Sequence, residues 1–82
     1  MKGSEAVEAH MVFEGRLQAD SFRAFARHRA ARLALDLAFE EDRGGIACRV
    51  RGPLALVDAF EMACSLGPID CVVLDVRRVD LG

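Results

Sequence analysis

Residues 11–33 read MVFEGRLQADSFRAFARHRAARL, and within this stretch the hydrophobic period changes from two to about 3.6. Met11, Phe13, Gly15 and Leu17 alternate with Val12, Glu14 and Arg16, which is the pattern of a strand with one buried face. From Ser21 to about Leu33 the apolar residues Phe22, Phe25, Ala26, Ala30 and Leu33 recur at helical spacing, with Arg27, His28 and Arg32 on or near the wet side. Gln18-Ala19-Asp20 is a short connection between them, and either Asp20 or Ser21 can N-cap the helix. A strand passing directly into an amphipathic helix is the opening half of a βαβ unit.

The same alternation of periods continues outward. Leu35, Leu37 and Phe39 alternate with Asp36, Ala38 and Glu40 as a second strand, and Asp42-Arg43-Gly44-Gly45 is a hairpin signal. Ile46, Cys48 and Val50 mark a third strand. Gly52-Pro53 ends it and sets a proline in the first turn of a second helix running to about Ser65. Leu56, Val57, Phe60, Ala63 and Cys64 are its expected core residues, and Gly67-Pro68 ends it. Cys71–Arg77 is a last strand, rich in β-branched residues. The order β-α-β-β-α-β predicts an α+β, ferredoxin-like sandwich: a four-stranded antiparallel sheet with two helices on one face. Residues 1–10 read as a flexible N-terminal lead without the apolar region of a secretory signal, and residues 11–82 as one domain.

Bulk properties narrow the function. At 82 residues there is room for one domain, and 52% hydrophobic with 29% charged residues argues against disorder. A net charge of −2 and the absence of Trp and Tyr disfavour nucleic acid as a partner. No apolar run reaches the roughly 18 residues that span a membrane. Cys48, Cys64 and Cys71 lack metal-type spacing and read as reduced, core-filling thiols of a cytoplasmic protein. His10 and His28 have no partner implied by spacing, and Arg27, Arg29, Arg32, Arg49 and Arg51 read as solvated charges.

The turn from Phe13 to Phe25 resembles the acylphosphatase signature, roughly V-x-G-R-V-Q-G-V-x-F-R-x-F. Gly15, Arg16, Gln18, Phe22, Arg23 and Phe25 match by identity, and Leu17 in kind. Ala30 to Leu35 is similar to that family's helix exit, and Gly52-Pro53, Phe60 and Gly67-Pro68 to its second-helix frame, so the resemblance covers about residues 11–80. It implies hydrolysis of carboxyl-phosphate anhydrides without metal or cofactor. Backbone amides over Gln18, Ala19, Asp20, Ser21 and Phe22 would cradle the phosphate, and Arg23 would clamp it. An asparagine after the second strand orients the attacking water in that family; its counterpart here is Glu41, or Glu40 by the other count.

Three departures bear on activity. Ala19 replaces the loop glycine, which matters if that position needs φ > 0. Asp20 replaces an apolar residue, and a carboxylate about 5 Å from a phosphate costs roughly 3 kcal/mol at an effective dielectric of about 20. A glutamate at the asparagine position cannot donate the amide hydrogen bond. The expectation is an acylphosphatase-like domain with weak or no hydrolase activity that retains an anion-binding loop. An active acylphosphatase and an interaction module using an edge strand are the alternatives. Phosphate or an acyl phosphate is the expected ligand, and a monomer or weak homodimer the expected state.

Overall fold

The computed structural model describes residues 5–41 and 44–81. The chain runs β1 (Ala6–Arg16), α1 (Ala19–Arg32), β2 (Asp36–Glu40), β3 (Ile46–Pro53), α2 (Leu54–Leu66) and β4 (Val72–Asp80). All strand pairs are antiparallel, and the sheet order is β2-β3-β1-β4. Each strand-helix-strand unit therefore steps over one intervening strand, giving the ferredoxin-like arrangement. No helix among the described residues is long and apolar enough to cross a membrane.

One layer of side chains joins the helices to the sheet. Ala9, Met11 and Phe13 of β1, Cys48 and Val50 of β3, Phe22 and Ala26 of α1, and Val57, Phe60 and Cys64 of α2 are buried together. The Phe13 and Phe22 rings meet with centroids 5.2 Å apart and planes tilted by 51°, an arrangement that aromatic quadrupoles favour. On the opposite face charged side chains cross the strands. His10 Nε2 lies 2.8 Å from Glu40 Oε1, and Arg49 Nη2 lies 2.6 Å from Glu40 Oε2. Val12 and Ala47 share that face and are nonetheless buried.

Every expected element is present, with shifted ends. β1 starts at Ala6, five residues before Met11, so residues 6–10 of the expected lead belong to the sheet. The physical reason is that β1 is central: Ala6–His10 pair with Arg49–Pro53 of β3, and Ala9 and His10 also pair with β4. Residues 1–4 of the lead lie outside the described residues, as do Asp42 and Arg43 of the hairpin signal. α1 starts at Ala19, and neither Asp20 nor Ser21 caps it. Gln18 is the N-cap residue, with extended backbone and no side-chain hydrogen bond. Pro53 sits at the N-cap of α2, one position earlier than expected, where its φ of −58° suits the entry.

Two backbone devices fix the turns. Between Glu14 and Gly15 the β1–β4 register shifts, so that Glu14 faces Asp75, Gly15 faces Val73, and Leu74 is an extra residue on β4. Gly15 has φ 149°, and a Cβ there would collide with the Val72 carbonyl oxygen and lie 2.8 Å from Leu74 N. α1 ends in a paired-hydrogen-bond cap: Leu35 N–H donates to the Ala30 carbonyl at 2.8 Å and Ala34 N–H to the Ala31 carbonyl at 3.1 Å. Ala34 carries this cap at φ 56°, the left-handed region in which a Cβ is penalised. Ala34→Gly is therefore expected to stabilise the fold by about 1 kcal/mol, raising Tm by roughly 4–8 °C. Thermal unfolding followed by circular dichroism checks this, and a lower Tm would refute the assignment.

Candidate functional site

Arg16 ends β1, and only Leu17 and Gln18 separate it from α1. Because the helix begins at Ala19, this residue has no positive φ, and the strain expected of an alanine at the loop-glycine position is absent. The turn is tied to the α2–β4 turn from across the sequence. Gln18 N–H donates to Cys71 Sγ at 3.3 Å, and Ser21 Oγ donates to Asp70 Oδ1 at 2.8 Å. Cys71 N–H in turn donates to the Pro68 carbonyl at 3.0 Å.

The expected amide cradle is thus divided. Gln18 N–H is committed to Cys71, and Phe22 N–H donates to the Gln18 carbonyl at 2.8 Å. Ala19, Asp20 and Ser21 occupy the first turn, whose N–H groups have no carbonyl partner within a helix and carry the positive end of its dipole. Phe22 is buried against Phe13, so its ring is core. Asp20 is exposed in the first turn, and the Asp70 carboxylate approaches through Ser21.

Arg23 is half-buried, with its guanidinium carbon 5.9 Å from the centroid of Phe39 on β2. Arg27, one helical turn on, lies 5.1 Å from the same ring. Both distances are within cation–π range. Neither arginine has a carboxylate partner among the described residues. Spacing of four along a helix puts two residues on one face, so the Arg23–Arg27 pairing was open to sequence reading, which had placed Arg27 only with the solvated charges.

The two glutamates at the end of β2 part company. Glu40 lies on the open face of the sheet, held by His10 and Arg49. His10, which the sequence left unpartnered, finds its partner there because β1 extends back to include it. Glu41 follows β2 directly and is exposed. Leu37 and Phe39 of β2 pack on the helix side.

Other reactive groups have structural places. Arg78 on β4 reaches Asp58, Glu61 and Asp80 at 2.7–2.8 Å. Burial alone would lower its pKa, but the bonds to Asp80, Glu61 and Asp58 outweigh this and hold it above its ordinary value. Cys48, Cys64 and Cys71 are free and buried, as small core residues. Burial, with Glu40 adding to it, pushes the Cys48 thiol up to about 12. Burial, with Cys48 adding and Arg29 opposing, pushes Cys64 up to about 12. Neither is a nucleophile near neutral pH.

By sequence, no family model and no curated protein matches the chain. Solved structures do. The chain is similar to an acylphosphatase from Coxiella burnetii, with a TM-score of 0.84 and 19% identity over 94% of this chain and 82% of that one. It is similar to an acylphosphatase from Bacillus subtilis, with a TM-score of 0.83 and 22% identity over 92% and 84%. It is also similar to full-length HypF in a phosphate- and nucleotide-bound form, with a TM-score of 0.84 and 18% identity over 95% of this chain and 10% of HypF. The domain has the acylphosphatase-like fold.

The thiols give a pH test. Both pKa values are raised from 9.0 to about 12 on folding, so their contribution to stability is complete below pH 9 and is lost between pH 9 and about 12. In that window the unfolded chain binds fewer protons, and stability falls by up to about 1.4 kcal/mol per pH unit for each thiol. Urea unfolding at pH 8, 9.5 and 10.5 is expected to show this fall, less steep in Cys48→Ala/Cys64→Ala. Identical alkaline slopes would contradict it.

Proposed function

We propose that this acylphosphatase-like domain binds a small phosphate-bearing anion at the head of α1, with Arg23 as principal ligand. Hydrolysis of acyl phosphates is weak or absent. The observation that carries this reading is the pair Arg23 and Arg27, both set within cation–π range of Phe39 without an acidic partner among the described residues. Two like charges four residues apart destabilise a helix, and a positive charge early in a helix opposes its dipole. A bound anion removes both penalties at once. The first-turn amides of Ala19, Asp20 and Ser21 supply donors of the matching sign.

The neighbourhood argues against efficient turnover. Asp20 and Asp70 bring carboxylates to the same helix end and compete with an incoming phosphate. Glu41, which takes no part in the open-face contacts that hold Glu40, is the better counterpart of the family's asparagine. As a carboxylate it accepts hydrogen bonds and adds negative charge, so the water-orienting donor is missing. Loss of one such donor costs about a hundredfold in rate.

Inorganic phosphate titrated into the ¹⁵N-labelled chain is expected to shift the amides of Ala19, Asp20 and Ser21. Arg23→Ala should weaken binding roughly tenfold or more. Shifts elsewhere, or a titration that ignores Arg23→Ala, would refute the site. With benzoyl phosphate as substrate, Glu41→Asn is expected to raise turnover. Glu40→Asn should leave turnover unchanged and loosen its contacts to His10 and Arg49, worth at most about 1 kcal/mol. A gain from the Glu40 variant alone would reverse the assignment.

A further inference from the structure

We propose that β4 pairs antiparallel with β4 of a second copy about a two-fold axis at Val76, continuing one sheet into the next. β2 and β4 are the outer strands, and an outer strand offers unpaired N–H and C=O groups to another chain. β2 is poorly suited to this. It has five residues, and turning it on itself about Ala38 sets Asp36 against Glu40, both acidic.

β4 is the opposite case. It has nine residues, contains neither proline nor lysine, and exposes Val72 (52%), Leu74 (71%) and Val79 (57%). Keeping the helices of both copies on the same side requires residues of one face to stand opposite each other, so the axis must pass through a residue. An axis at Asp75, Arg77 or Arg78 sets a charged residue against its own copy. An axis at Leu74 falls on the bulge. An axis at Val79 overlaps only residues 77–81 and relies on Arg78, already bonded to Asp58, Glu61 and Asp80. An axis at Val76 sets Asp75 against Arg77 of the second copy, twice, both on the open face of the sheet.

Among the described residues Asp75 also lacks a cationic partner. It stands opposite Glu14, a like charge, while Arg77 lies diagonally across and gives Nη2 to Glu14 at 2.8 Å. A guanidinium has five N–H donors, so Arg77 of the second copy can hold its own Glu14 and Asp75 together. The bulge at Leu74 shortens the regular ladder, which makes this a weak, concentration-dependent dimer. The pairing is independent of the anion site on α1.

Sedimentation equilibrium of the whole chain from about 10 µM to 1 mM tests it. The wild type is expected to dimerise within that range. Asp75→Arg alone and Arg77→Asp alone each oppose like charges and should weaken self-association by roughly tenfold or more. Mixed in equal amounts, the two variants restore Arg–Asp pairs across the axis and should form a heterodimer. Circular dichroism at the same concentrations verifies that both variants are folded. A wild type that stays monomeric to 1 mM overturns the proposal. So does a mixture that stays monomeric, or self-association lost with Met62→Lys, in the groove between the helices, while Asp75→Arg keeps it.

Discussion

The close approach of β1 to β4 at Gly15 sets the geometry of this end of the molecule. No Cβ fits beneath the Val72 carbonyl, so the strand carries a glycine there and β4 takes up an extra residue opposite. The bulge bends β4 and adds local twist there, and Leu17 and Gln18 carry the chain from β1 into α1. Gln18 then meets Cys71, at the start of β4, and Ser21 meets Asp70. Two turns far apart in sequence become one corner, and the head of α1 is held rather than left to fray.

Arg23 and Arg27 differ in their partners from the cations paired across the sheet. On the open face Arg49 holds Glu8 and Glu40, Arg77 meets Glu14, and the His10 ring meets Glu40. Such exposed pairs add little stability each. On the helix side Arg78 is likewise paired, with Asp58, Glu61 and Asp80, whereas Arg23 and Arg27 share an aromatic ring. That contrast, rather than net charge, distinguishes the corner at α1, since the chain as a whole carries −2. The corner also differs from a smooth amide cradle, because Gln18 N–H is engaged by sulfur and the next three residues have wound into the helix.

Most of the architecture was legible because the hydrophobic period changes cleanly from strand to helix at each junction. What sequence missed was set by non-local contacts. Val7 and Ala9 continue the alternation of β1, but small residues beside Glu8 and His10 give a weak signal until pairing on both sides pulls them into the sheet. Asp20 and Ser21 look like helix caps, yet the entry is fixed at Gln18 through Cys71, a contact over 53 positions that no local pattern reveals. The ambiguity between Glu40 and Glu41 came from counting along a turn of uncertain length. The contacts of Glu40 place it on the open face, and Glu41 lies just past the end of β2. Helical spacing puts Arg23 and Arg27 on one side of α1, but that both meet Phe39 depends on how α1 packs on β2, which no local pattern reveals.

A crystal structure grown with orthovanadate or phosphate is the most direct examination of the proposed anion corner. The account predicts tetrahedral or bipyramidal density within hydrogen-bond reach of the Ala19–Ser21 amides and of the Arg23 or Arg27 guanidinium. Density at another surface only, with both arginines still stacked on Phe39 and the first turn of α1 unliganded, would contradict it.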